Sequence, residues 1–286
     1  MYNFYKMFEV VIMSRDYSKT ENLNKHHETI EKIKARMKLK STMLVFLIAL
    51  LALSTGTLAW FTLNTFSAVN NLEMRIGTGA ELKVSIENHG TDLSQYVKVI
   101  TNEMINEYLR DYDTSIAEIK LDPLTSDKGI EFFTQYGNKR TENVGGYLEF
   151  PIYFIGTKDM YVHLSSDDTG TDKDDGAKVS TTETGPKADV VNCPRVSFED
   201  TDGSTRIWEP NISTPVAGQS TFDIPTPMNY TNNSRLFFLK AMTPKKVMVR
   251  LWIEGEDPQC DDDVQDAQMT VALCFFGTDE NNEAIV

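Results

Sequence analysis

Apolar positions in the second half of the chain are grouped in short runs split by polar turns, which predicts strands more than helices. Tyr147-Leu-Glu-Phe-Pro-Ile-Tyr-Phe-Ile155 and Met160-Tyr-Val-His-Leu164 are aromatic and β-branched and flank the turn-forming Gly156-Thr-Lys-Asp159, so they read as a hairpin. Val190 to Phe198, Arg206 to Trp208, Leu236 to Met242, Val247 to Ile253 and Ala267 to Phe276 have the same character. Val247 to Glu254 and Gln268 to Phe276 read as a second antiparallel hairpin around an acidic loop. A series of short strands split by polar turns predicts a mainly β fold, a jelly-roll-like β-sandwich.

One segment has a different period. Between Asp92 and Tyr112, the residues Leu93, Tyr96, Val97, Ile100, Met104, Ile105, Tyr108 and Leu109 recur at three- and four-residue spacing. That is the stripe of one amphipathic helix with Asp92 as its N-cap, packed over one side of the sheet.

A third pattern lies upstream. Thr42 to Phe61, TMLVFLIALLALSTGTLAWF, carries no charge and as a helix is just long enough for a ~30 Å hydrocarbon core. Lys32, Lys34, Arg36, Lys38 and Lys40 precede it, and the next charge after it is Glu73, so the N-terminus is expected inside and everything beyond Phe61 outside. The run divides the chain into a basic cytoplasmic region at 1–41, a hydrophobic helix at 42–61 and an extracellular domain at 62–286.

Two readings of this run stand side by side. As a signal peptide it has a basic start, a Leu/Ile-rich centre and a small-residue end, with Thr57 and Ala59 at the −3 and −1 positions and Trp60 as the new first residue. Cleavage after Ala59 is the expected outcome; the alternative is an uncleaved single-pass anchor, which the length of the run and the interface-seeking Trp60 and Phe61 favour.

Charge narrows the function classes. The whole chain has 28 Lys and Arg against 42 Asp and Glu; residues 1–61 hold 9 and 5 of these, so the part after Phe61 holds 19 and 37 and is net −18. An acidic exported body argues against nucleic acid, whose phosphates require basic surfaces, and suits contact with cations or basic wall components. Asp167 to Gly176 followed by Glu183 resembles a calcium loop counted from Asp172, but Ala177 occupies the sixth place where the sharp turn needs glycine, so it reads as an acidic surface loop. Asp261-Asp-Asp263 reads as solvated charge. No cofactor or metal site is assigned.

Catalytic signatures are missing from the sequence. The exported part has His89 and His163 as its histidines, with no HExxH and no GxSxG, so a non-enzyme is expected, with an uncharacterised surface hydrolase as the alternative. Cys193, Cys260 and Cys274 are too few for a disulfide framework. The expected hairpin separates Cys260 from Cys274, which predicts free or buried thiols and leaves a pairing of Cys193 open.

Gly56-Thr-Leu-Ala-Trp-Phe-Thr, then Asn64-Thr-Phe-Ser-Ala68, then Leu72-Glu-Met-Arg-Ile76 resembles the N-terminal pattern of exported Gram-positive proteins with a SipW-type signal peptide, the TasA and camelysin group. Val249-Arg-Leu-Trp-Ile-Glu-Gly-Glu-Asp-Pro-Gln-Cys260 and Met269-Thr-Val-Ala-Leu-Cys-Phe275 look like the closing hairpin of clostridial proteins of this type. The resemblance implies a jelly-roll-like domain outside the cell, a cell-surface or biofilm-matrix structural protein that self-associates into fibres by donating its first strand. Phe61, Asn64, Phe66, Leu72, Met74 and Ile76 would belong to that donor strand. The alternative is a membrane-anchored module that binds a wall polymer or a cation.

Overall fold

The computed structural model describes residues 34, 37–38, 40, 42–43, 67–77, 81–141, 146–166, 176–210, 216 and 218–285. The chain divides into two units, Met1–Trp60 and Phe61–Val286. Of the first unit, the described residues Lys34, Met37, Lys38, Lys40, Thr42 and Met43 are helical. The expected hydrophobic helix beyond Met43 lies outside the described residues, as do Thr57, Ala59 and Trp60. Among the described residues no helix is long and apolar enough to cross a membrane.

The second unit is mainly β and is built on two mixed sheets. In the first sheet the order is β14 (Arg235–Leu239), β9 (Met160–Leu164), β16 (Gln268–Thr278), β1 (Ser67–Ile76) and β3 (Val99–Ile100). Two short strands extend it, β10 (Lys178–Ser180) on β16 and β4 (Lys120–Leu121) on β1. The second sheet runs β13 (Thr221–Phe222), β12 (Thr205–Trp208), β11 (Pro194–Glu199), β15 (Lys245–Glu254), β8 (Leu148–Gly156) and β2 (Leu82–Ser85), with β5 (Pro123–Leu124) beside β15. β6 (Phe132–Phe133) and β7 (Lys139–Arg140) form a separate two-stranded ribbon, joined by the Thr125–Phe133 bridge to the segment after β5.

The inward residues of both sheets form one core. Leu72, Met74, Val271, Leu273 and Phe275 come from the first sheet, and Phe150, Ile152, Phe154, Val249 and Leu251 from the second. Phe275 makes edge contacts with Phe154 at 5.0 Å and Phe198 at 5.8 Å, the offset geometry that aromatic quadrupoles favour. Burying each such side chain contributes roughly 1.5–3 kcal/mol, which is what overcomes the ordering entropy of the strands.

Both expected hairpins are corrected. β8 and β9 are consecutive but belong to different sheets, and so are β15 and β16. Gly156 to Asp159 is therefore a corner that carries the chain from one sheet to the other. An alternating pattern determines which side chains point inward; it does not choose the neighbour to which the strand bonds. When two sheets face one core, consecutive strands bury the same kind of residue whether they pair or oppose each other.

The long helix is corrected as well. Asp92 does cap a turn, accepting from Ser94 N, but the turn is the short 3-10 segment Leu93–Gln95. Val97 then bridges to Val84 and Val99–Ile100 forms β3, so the helix α1 covers Asn102–Leu109 alone. Val97, Val99 and Ile100 are β-branched and favour extended backbone, and the apolar spacing across them matched a helix by coincidence.

A smaller apolar cluster, Leu124, Phe132, Tyr147, Ile207 and Trp252, covers part of the outer face of the second sheet. Phe132 stacks on Tyr147 at 4.2 Å and meets Trp252 edge-on at 5.1 Å. This explains how Ile207 and Trp252 are buried although they point away from the main core.

Candidate functional site in the first strand

β1 occupies an interior place in its sheet. Along one side it runs parallel to β16, from Ala68 opposite Gln268 to Ile76 opposite Phe275. Along its other side two short strands meet it antiparallel, β4 at Ser67 and Ala68 and β3 at Met74 and Arg75. Between them the edge is closed by a side chain: Asn102, at the start of α1, accepts from Leu72 N at 3.0 Å and donates to Asn71 Oδ1 at 2.5 Å. One amide thus takes the place of a missing strand.

The inward residues of β1 are Val69, Leu72, Met74 and Ile76, all buried. Val69 and Leu72 are three apart, which strict alternation forbids. The register with β16 shifts between Val69 and Asn71, and this bulge returns Leu72 to the inner face. Of the expected donor-strand residues, Leu72, Met74 and Ile76 therefore lie together on the core side of β1, whereas Phe61, Asn64 and Phe66 lie outside the described residues.

The outer face of the second sheet carries two buried arginines, each held between two carboxylates. Arg195 Nη2 donates to Glu209 Oε1 at 2.7 Å and to Asp257 Oδ2 at 2.5 Å, and all three side chains are almost fully buried. Arg250 pairs with Glu149 on one neighbouring strand and with Glu199 on the other, the latter at 2.7 Å. Nearby, the Glu254 carboxylate accepts from Trp252 Nε1 at 3.1 Å and also from Gln219. Burial raises the Glu254 pKa, and those donors oppose the rise.

His163 has a structural role. It lies on the outer face of β9 with its ring nitrogens 3.0 Å from Ser234 Oγ and 2.8 Å from Thr278 Oγ1. Ser234 Oγ also donates to Thr231 O and Thr278 Oγ1 to Asp279 O, so each hydroxyl links the ring to a backbone carbonyl. Burial holds its pKa down to about 4, and neighbouring Arg235 pushes the same way. A neutral imidazole whose two nitrogens are both occupied has no free position for a substrate proton. His89 lies in a turn, its ring edge-on to Tyr96 at 5.6 Å.

The acidic segments resolve in part. Glu183, the expected twelfth place of the calcium loop, accepts from Gln268 N at 3.3 Å, while Asp172 lies outside the described residues. Asp261 caps a 3-10 turn by accepting from Asp263 N. Among the described residues no three His, Cys, Asp or Glu side chains converge on one point as around a metal ion. No disulfide joins Cys193, Cys260 and Cys274 in this structure, and all three are buried.

Reasoning from sequence missed the arginine clusters. Arg195 and Arg250 stand in apolar strands at outward-facing positions, and a lone cation in an otherwise hydrophobic strand is the signal that could have found them. Comparison with protein-family models, characterised proteins and solved structures finds no match for this chain.

Proposed function

We propose that the chain is an exported cell-surface or extracellular-matrix structural protein whose domain after Phe61 is a jelly-roll-like sandwich, and that its first strand assembles copies into fibres. The observation that carries this reading is the place of β1. It is the first strand of its unit, begins at Ser67 shortly after the Ala59–Trp60 junction, and fills the slot beside the last strand, β16.

Strand donation is physically economical here. Taking Val69, Leu72, Met74 and Ile76 out of the core would cost roughly 6–12 kcal/mol by area alone. If β1 of another copy fills the slot, the same contacts re-form and that cost is returned. The link Gly77-Thr-Gly-Ala-Glu81 leads to β2 in the other sheet, and its two glycines tolerate the change of direction that exchange requires. Such an exchange is heterologous and generates open filaments unless the rotation closes.

The test is the N-terminal sequence and intact mass of protein recovered from the cell surface and from the medium, with negative-stain microscopy of the same material. A start at Trp60 together with filaments is the expected result. A chain retaining Thr42 to Phe61 would make the protein an anchored ectodomain and sink the fibre reading.

A further inference from the structure

We infer that Cys193 and Cys260 join in a disulfide when the chain folds in an oxidising compartment. The inference rests on the export reading for that compartment, since cytosolic thiols stay reduced.

The geometry brings the two residues together across 66 intervening positions. Cys193 ends the 3-10 segment Gly185–Asn192, directly before β11, and its carbonyl accepts from Glu254 N at 2.9 Å where β15 ends. Beyond β15 the chain turns, with Cys260 N donating to Asp257 O at 2.9 Å. This turn brings the Gln259 carbonyl to 3.7 Å from Cys193 Sγ, one peptide unit from the Cys260 α-carbon. Cys193 Sγ also lies 3.9 Å from the Asp189 carbonyl of its own 3-10 segment. Cys193 is 0% and Cys260 7% exposed.

A second contact already clamps the same two segments. Arg195, two residues beyond Cys193, holds Asp257, three residues before Cys260, at 2.5 Å. Two contacts, one at the Cys193 sulfur and one at Arg195, thus hold the segment before β11 against the turn that carries Cys260. Cys274 belongs to a different element, in register with Arg75 in the β1–β16 pair, and keeps its thiol.

The chemistry balances with an external disulfide. One cysteine thiolate attacks a small-molecule disulfide such as oxidised glutathione, releasing one thiol and leaving a mixed disulfide on the protein. The second cysteine, losing its proton, displaces the other thiol and closes the bond. The protein gives up two electrons and the small disulfide is reduced to two thiols. The neighbouring Cys260 thiol, and burial after it, push the Cys193 pKa far up, so the exchange belongs to folding, before the turn closes over the sulfurs. Once formed, the buried bond is shielded from reductants.

The consequence is a staple at the crossing between the sheets. The loop from Gly255 to Ala267 leads from β15 to β16, the strand that receives β1. A bond closing a loop of about 70 residues should raise the melting temperature by roughly 10 °C.

To test this, the purified full chain in detergent is unfolded with reductant and refolded with a reduced and oxidised glutathione pair. It is then denatured, alkylated without reductant and digested. The expected result is one alkyl group, on Cys274, and a linked peptide containing Cys193 and Cys260, lost on reduction. Three alkyl groups, or a linked peptide containing Cys274, would overturn the inference and leave export standing. If refolded protein carries the bond but protein taken directly from cells carries three thiols, the pairing stands and it is the export reading that fails.

Discussion

Met74 of the first strand lies beside Leu273 of the last in a parallel pair, and both side chains are buried in the core shared by the two sheets. A parallel neighbour cannot be reached by a tight turn, so β1 and β16 are joined only through the whole intervening body. The first strand thus depends on the sheet for its place, without a hairpin partner of its own. That is the arrangement in which one copy's strand can be replaced by another's without altering the rest of the fold.

Truncating Met74 should show how much the slot depends on its occupant. Met74 is 0% exposed, and Met74→Ala is expected to lower unfolding free energy by about 2–5 kcal/mol. Urea unfolding, followed by tryptophan fluorescence, measures it. A change below about 1 kcal/mol would mean that β1 contributes little to the core.

Stability should depend on pH through His163. An ordinary histidine titrates near 6.5, and burial holds His163 down to about 4. The unfolded chain takes up a proton in that window and the folded chain does not, so stability is lost as pH falls from 6.5 to 4. The loss amounts to about 3 kcal/mol, and stability is fully present above pH 6.5. His163→Gln keeps hydrogen-bonding groups near Ser234 and Thr278, and its urea midpoint should change less over the same window. Equal slopes for the two proteins would count against a buried neutral histidine.

Arg195 should be costly to remove alone. Arg195→Met leaves Glu209 and Asp257 facing each other in a buried site without their shared cation, and is expected to destabilise by about 3–5 kcal/mol. The triple change Arg195→Met, Glu209→Gln, Asp257→Asn should recover a large part of that. Additive losses in thermal melts would contradict the view that the three act as one unit.

Gly129 marks where the outer layer approaches the second sheet. Its φ is +68°, and an added Cβ would lie 2.4 Å from Ser197 Cβ, whose hydroxyl donates to Gly129 O at 2.6 Å. Gly129→Ala combines backbone strain with a clash against a strand and should cost at least about 1 kcal/mol. A variant as stable as the parent in thermal melts would contradict this close approach.

Much of the β content was legible because Tyr147 to Ile155, Val247 to Ile253 and Ala267 to Phe276 are short, largely apolar runs between polar turns. Their partners were not, since Phe154 and Phe275 satisfy the same pattern whether they pair in one sheet or face each other between two. The helix was misjudged at Val97 to Ile100, where side-chain branching outweighed a coincidental spacing. Leu72, Met74 and Ile76 were found through a resemblance, and the bulge at Asn70 that places Leu72 beside the core has no separate sequence signal. The pairing of Arg195 with Asp257 depends on a 62-residue separation in the chain that sequence spacing does not encode.

The most direct test of strand donation uses Glu73 and Ala272, which are register partners on β1 and β16. Glu73→Cys and Ala272→Cys are introduced together, the protein is allowed to form filaments, and oxidised samples are run on a non-reducing gel beside each single variant. Donation predicts a ladder of covalent multimers from the filaments of the double variant, because the two cysteines that meet belong to different copies. A cross-linked monomer alone, from filaments that are visibly intact, would mean that each β1 stays in its own sheet and would contradict the account.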